Sequence, residues 1–294
     1  MSNMGAIVAA QQPIRRTRVA MLELGRTHPR VTGAAVLVAL LFLVALVAPI
    51  ISPHDPVTTN PDGSYLPPLS PGHLLGSDEL GRDLLSRILW GARVSLPVAF
   101  VAVAVGLVGG GLIGLASGYA GGITDLLLMR LVDALLAFPG LVLAIAIVAA
   151  LGPGLRNAMI AIGIVAVPIY ARLIRALVLQ LNRMEFVTAT RSLGASPLRL
   201  IVRHLIPNLL NPIIVQISLS AGFAILAEAT LSFLGLGAQV PTPDWGQMIF
   251  TGSGFLDNDP WLAIVPGAAI SITVFSFNLL GDSLRDALDP RLRS

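Results

Sequence analysis

Residues 31–51 read VTGAAVLVALLFLVALVAPII, twenty-one residues without a charge. A bilayer core about 30 Å thick is crossed by roughly 20 apolar residues rising 1.5 Å each, so this stretch is a transmembrane helix by length and composition. It is too long, and lies too far from the N-terminus, for the roughly 7–15-residue apolar region of a secretory signal; it reads as an uncleaved first span. Five further runs meet the same criterion, at about 94–119, 126–151, 158–179, 209–236 and 261–280. The composition agrees. Of 294 residues, 55% are hydrophobic and 12% charged, about half the charge of a soluble domain, and the mean hydropathy is +0.82. The expected fold is an all-α integral membrane protein of six transmembrane helices. Its organisation is an N-terminal segment (1–30), a first helix (31–51), a loop (52–93), a membrane core (94–281) and a tail (282–294).

Two absences exclude chemistry. With no cysteine, disulfides, thiolate metal sites and cysteine nucleophiles are out. With no lysine, a Walker-A phosphate site, a Schiff base and a serine–lysine dyad are out as well. The nineteen basic residues are therefore all arginine, and their placement gives an orientation, because arginine-rich loops stay on the cytoplasmic side. With the N-terminus inside, fifteen are cytoplasmic: Arg15, Arg16, Arg18, Arg26, Arg30, Arg130, Arg172, Arg175, Arg183, Arg191, Arg199, Arg203, Arg285, Arg291 and Arg293. Arg82, Arg87, Arg93 and Arg156 are outside. The pI near 10.1 thus marks topology; basic residues interleaved with exposed aromatics, as nucleic acid requires, are missing.

Several patterns lie within this frame. Gly106, Gly110, Gly114 and Gly118 recur every fourth residue along the second span and form a groove for a close helix approach, within the chain or at a subunit interface. Residues 77–90 carry Leu80, Leu84 and Ile88 on one helical face, with Asp78–Arg82 and Asp83–Arg87 as i, i+4 pairs. They predict an amphipathic helix capped by Ser77 or Asp78, lying on the outer surface or against the pore mouth. Arg130 and Asp133, three apart, are expected to neutralise each other rather than meet substrate. Glu228 has no oppositely charged sequence neighbour and falls near the outer end of its span; an intramembrane carboxylate is a candidate functional group, and a hydrated or loop-paired group is the alternative.

The loop 182–205 is polar but patterned. Phe186, Val187, Thr190 and Leu193 form an apolar stripe, and Gly194 is a natural helix stop. Ser196 caps a second short helix with Pro197 at its first position, expected to run to Pro207. Two short helices meeting at a Gly-Ala-Ser corner make a rigid projection, with Ala189, Gly194 and Ala195 leaving room for a partner; a loop resting on lipid headgroups is the plainer reading.

The stretch EFVTATRSLGAS at 185–196, continuing to His204, Ile206, Pro207 and Asn208, resembles the coupling (EAA) loop of ATP-binding-cassette importer permeases. Ala189, Gly194 and Pro207 match that pattern; Thr188, Thr190, His204 and Ile206 depart from it, and Glu185, one turn earlier, can stand in for the missing acid. LGSDELGRD at 75–83, ATLSFLGLGA at 229–238, PTPDWG at 241–246 and FNLLGDSLRDALDPR at 277–291 narrow the resemblance to the second permease of the dipeptide, oligopeptide and nickel class, over about 27–293. The resemblance implies a type I importer permease fold and a coupling site built from Glu185, Thr188, Ala189, Gly194, Ala195, Ser196, Pro197 and Pro207. It implies a homologous second permease, two ATPase subunits holding ATP and Mg2+, an extracytoplasmic binding protein and a peptide substrate. It places the chain in a bacterial cytoplasmic membrane with both termini inside, and gives it no cofactor, metal or catalytic residue of its own. Nickel is the alternative cargo, and a secondary transporter the alternative class. An intramembrane protease is excluded, since His28, His54, His73 and His204 all lie outside the spans.

Overall fold

The computed structural model describes residues 29–288; the arginines expected at 15–26, 291 and 293 lie outside them. Among the described residues the chain is helical, with no β-strand. Helix α1 (Pro29–Ile51) presents Ala34, Val38, Ala45 and Ala48 inward and leaves Leu40, Leu43, Leu46 and Ile50 exposed, the pattern of a peripheral helix facing lipid. After the loop comes α2 (Leu84–Ala120), whose 37 residues extend ~55 Å and overrun the bilayer core. Next come α3 (Gly122–Leu136), α4 (Gly140–Leu151) and α5 (Leu155–Leu181). The loop helices are α6 (Glu185–Ser192) and α7 (Pro197–Leu200). A long α8 (Ile206–Phe233), a short α9 (Trp245–Ser253) and α10 (Trp261–Leu288) complete the bundle.

Among the described residues five helices are long and apolar enough to cross a membrane without interruption, and the pair α3–α4 is apolar enough only taken together, across a 90° bend that makes it a broken span or a re-entrant loop. The expected third span, 126–151, is thus not straight. Pro139 explains the break: it carries no N–H to donate and disfavours helical geometry at the preceding residue, and it stands at the N-cap of α4.

The expected amphipathic helix at 77–90 is a second correction. Helix begins only at Leu84, where the Asp83 carboxylate accepts a 2.8 Å hydrogen bond from Ser86 N. Upstream, the chain is held by tertiary contacts that a helix would break: Leu66 N donates to Ser77 Oγ at 2.9 Å, and Gly81, at φ +70, lies so close to the Asn60 carbonyl that a Cβ would sit 2.6 Å from its carbon. The Asp78–Arg82 pair does form, at 2.7 Å, but around a turn. Arg87 turns away from Asp83, to Asp78 at 3.4 Å and to the carbonyl of Pro56 at 2.9 Å.

The centre of the bundle is the α2–α5 contact. A Cβ on Gly106 would lie 2.7 Å from Ala166 Cβ, one on Gly110 2.8 Å from Ala171 N, one on Gly114 2.6 Å from Ala171 O and one on Gly118 2.9 Å from Val178 Cβ. The glycine groove is therefore filled by α5 of the same chain, which answers with its own Gly163 against Ala102 and Val105. Helices α8 and α10 pack similarly, Gly281 facing Leu219 and Gly222 facing Phe277 and Asn278.

Candidate functional site

The loop between α5 and α8 is a stiff corner. Glu185 opens α6. The helix closes in a Schellman arrangement: Gly194 at φ +79 donates to Arg191 O at 3.0 Å, and Ala195 N donates to Thr190 O at 3.3 Å. The left-handed backbone there disfavours any residue with a Cβ. Ser196 then accepts from Arg199 N at 3.4 Å, with Pro197 at the first position of α7. A third correction follows, because the second helix does not end at Pro207. Helix α7 passes through a π turn (Ile201–Leu205) straight into α8, so Pro207 lies inside a continuous helix, and the π turn just before it is where the backbone adjusts to the missing N–H. The corner is therefore continuous with α8.

The corner is anchored from within. Val187, Leu200 and Leu205 are fully buried against Ile174, Val178, Leu181 and Leu209 at the ends of α5 and α8. At ~1.5–3 kcal/mol for each buried aliphatic side chain, the three hold the loop down by roughly 5–9 kcal/mol. The other apolar residues point outward: Phe186 is 40%, Leu198 72% and Leu193 88% exposed. Of the sequence stripe, only Val187 is core. Thr188, Ala189, Gly194, Ser196 and Pro197 are exposed and Ala195 half-buried, so the corner shows small residues ringed by apolar ones. Asn182 Nδ2 donates to Gly118 O at 3.1 Å, joining the root of the loop to the last glycine of the groove.

The expected Arg130–Asp133 pair is replaced by a cross-helix one, in which Arg172 Nη2 reaches Asp133 at 2.7 Å; Arg130 lies exposed on α3. Helix α5 passes close enough for its guanidinium to reach the carboxylate. One turn further along, Arg175 clamps Asp125 through two 2.6 Å bonds, and Ser117 also donates to Asp125. This clamp escaped the sequence reading, because Asp125 stands apart from any basic neighbour in the chain. Between α5, α8 and α10 a cavity of about 510 Å3 is lined by Asn211, Gln216, Leu219 and Arg285. A second, of about 110 Å3, shares Gln216 and Leu219 and continues past Ser220 and Phe223.

At the end of α8 opposite this corner, Glu228 is fully buried. Ser232 Oγ donates to it at 2.8 Å, and its carboxyl group meets Asp244 and Ser95. Asp244 caps α9 by accepting from Gln247 N at 3.0 Å. Trp245 Nε1 donates to Ile88 O at 3.0 Å and lies over Gly91, where a Cβ would come within 2.7 Å of the indole. The PTPDWG stretch thus fastens the loop after α8 to both α8 and α2.

A bundle with this broken third span and an anchored helical corner defines a class. The chain belongs to the binding-protein-dependent transport system inner membrane component family, whose model matches residues 110–294; residues 26–68 match the N-terminal TM domain of oligopeptide transport permease C.

It is 45% identical over 277 residues to a dipeptide transport system permease protein of Alkalihalophilus pseudofirmus, covering 94% of this chain and 90% of that one. It is 47% identical over 268 residues to a di/tripeptide transport system permease protein of Pseudomonas aeruginosa, covering 89% and 88%. To a glutathione transport system permease protein of Escherichia coli it is 44% identical, covering 91% and 88%. Among solved structures, an inward-facing methionine ABC transporter shares the fold with a TM-score of 0.57 at 18% identity, over 70% of this chain and 98% of that one. An amino acid ABC transporter does so with a TM-score of 0.53, also at 18% identity, over 67% and 92%. The chain is a transport permease of this family.

Proposed function

We propose that this chain forms, with a homologous permease, the pathway by which an ATP-driven importer carries di- and oligopeptides across the cytoplasmic membrane. The near-full-length similarity to peptide and glutathione permeases carries this reading, and the same relatives disfavour a nickel cargo. The coupling corner receives the drive. Separate ATPase subunits, holding ATP and Mg2+, grip Ala189, Gly194, Ala195 and their exposed surround. Closure of the ATPases on ATP pulls the two corners together. Because α7 runs into α8 through one continuous backbone, the displacement passes to a helix that lines the cavity. The work comes from the ATPases' different affinities for the two permease states, and a soluble binding protein delivers peptide at the opposite mouth. Both termini lie on the ATPase side. The glycine groove acts as a fixed joint between α2 and α5, while Glu228 holds the outer loop.

Reconstitution with the neighbouring permease, ATPases and binding protein tests the reading. Labelled dipeptide should accumulate only with ATP, and unlabelled peptides should compete while nickel does not. Uptake without the ATPases, or competition by nickel but not by peptides, would overturn it.

A further inference from the structure

The loop between α1 and α2 holds a cluster that the transport reading does not use. His54 follows the end of α1, His73 lies midway along the loop and Asp83 caps α2; one ligand atom from each lies within 4.8 Å of the others. Asp83 is buried and its two oxygens divide their work. Oδ2 accepts from Ser86 N at 2.8 Å and Ser86 Oγ at 2.6 Å, which fixes the carboxylate plane. Oδ1 faces the imidazoles, 2.8 Å from His73 Nδ1 and 3.8 Å from His54 Nδ1. The two rings are stacked, with planes 17° and centroids 4.8 Å apart, and both Nδ1 atoms lie near the same Asp83 oxygen. The nearby arginines are engaged elsewhere: Arg82 with Asp78 and Glu79, and Arg87 with Asp78.

We propose that His54, His73 and Asp83 form a binding site for one divalent transition-metal ion of the zinc type, stapling the loop to the start of α2. Two imidazole nitrogens and one carboxylate oxygen suit zinc and its neighbours, whereas magnesium and calcium require more oxygen ligands. A three-ligand set leaves a fourth position for water, and the His54 side chain, 44% exposed, leaves that side open to solvent. Ligands on one zinc ion stand ~3.3 Å apart at metal–ligand distances near 2.0–2.1 Å, so from separations of up to 4.8 Å the cluster closes by as much as about 1.5 Å through rotation of the exposed His54, while the His73–Asp83 pair, at 2.8 Å, opens by about 0.5 Å. On binding, the His73 proton moves from Nδ1 to Nε2 and the freed Nδ1 lone pair goes to the metal. The backbone of His54 is already fixed, its N–H donating to Ser86 Oγ at 3.1 Å, so the ion meets a largely preorganised site. It joins the end of α1, the middle of the loop and the start of α2.

The test uses the untagged full chain in detergent, stripped with a chelator, titrated with zinc or magnesium and desalted before elemental analysis. One zinc and no magnesium should be retained per chain, and the unfolding temperature should rise with zinc. His54→Ala, which removes an exposed side chain outside the core, should keep the metal-free unfolding temperature yet weaken zinc binding by at least ~10-fold; His73→Ala should do the same or more. No zinc retained by the wild-type chain, or one zinc retained equally by His54→Ala and by the His54→Ala, His73→Ala double variant, would overturn the proposal.

Discussion

Leu200→Ala tests whether the coupling corner is a stiff lever. Leu200 is 1% exposed within the cluster that ties α6 and α7 to α5 and α8. Removing its three outer carbons forfeits transfer free energy and leaves a cavity, together about 2–4 kcal/mol in well-packed sites. The loop is held by roughly 5–9 kcal/mol from three side chains, so this loss leaves it mostly closed but raises its opened population roughly 30- to 700-fold. Hydrogen exchange reads that population directly. Amides of 187–194, which close α6 and its cap, should exchange faster by about that factor, while those of the α2–α5 centre are unchanged. In the assembled transporter, ATP hydrolysis should continue with less peptide moved per ATP, because a loosened lever absorbs the displacement. Leu198→Ala is the matched control: two residues away and 72% exposed, it should leave exchange unchanged and weaken only ATPase docking. Equal exchange in Leu200→Ala and wild type, with the protein folded, would refute the anchoring argument.

Gly194 separates backbone strain from partner contact. Gly194→Asn tolerates the φ of +79 and should retain uptake, whereas a β-branched residue such as Val pays ~1–2 kcal/mol and should fray α6 by circular dichroism and exchange. A Cβ at Gly194 meets nothing of its own chain within 4 Å, so the bulk of Gly194→Trp should leave insertion intact and abolish uptake; normal uptake and ATPase stimulation would count against the lever. Adjacent glycines of α2 should differ in sign by thermal unfolding in detergent. Gly110→Ala, whose Cβ would meet α5 backbone at 2.8 Å, should cost about 1–3 kcal/mol. Gly111→Ala, whose Cβ meets only Ile174 Cδ1 at 3.6 Å, should gain up to ~1 kcal/mol in helix propensity. Asp125→Asn should cost about 1 kcal/mol, and the exchanged pair Asp125→Arg with Arg175→Asp should recover part of it.

The spans and the corner were legible because their signals are local. Hydropathy over 20 residues places a helix, and Gly194, Ser196 and Pro197 each act on backbone within a few residues. What the chain alone concealed depended on distant partners. Residues 77–83 carry a helical charge pattern, yet the Asn60 carbonyl and the Ser77 hydroxyl hold them in turns, and tertiary contacts outweigh i, i+4 pairs worth only tenths of a kcal/mol. Arg172 reaches Asp133 from another helix, so the nearer Arg130 was a misleading neighbour. Pro207 looked like a boundary, but a π turn just before it carries the helix past it. Pro139, by contrast, was a visible signal for the bend in the third span, masked by the apolar run around it. His54, His73 and Asp83 are up to 29 residues apart in the sequence and converge only through the fold of the loop.

The central claim is that the corner at 185–200 is where an ATPase subunit drives this permease. The absence of cysteine makes a direct test possible, since Leu193→Cys introduces a single thiol at a site 88% exposed. In the assembled transporter this thiol should cross-link to an ATPase subunit, with a yield that changes when ATP is bound. Leu46→Cys, 73% exposed on the peripheral α1, should give no such product. Cross-linking from position 46 but not from 193, or from neither in a transporter that still imports peptide, would contradict the account.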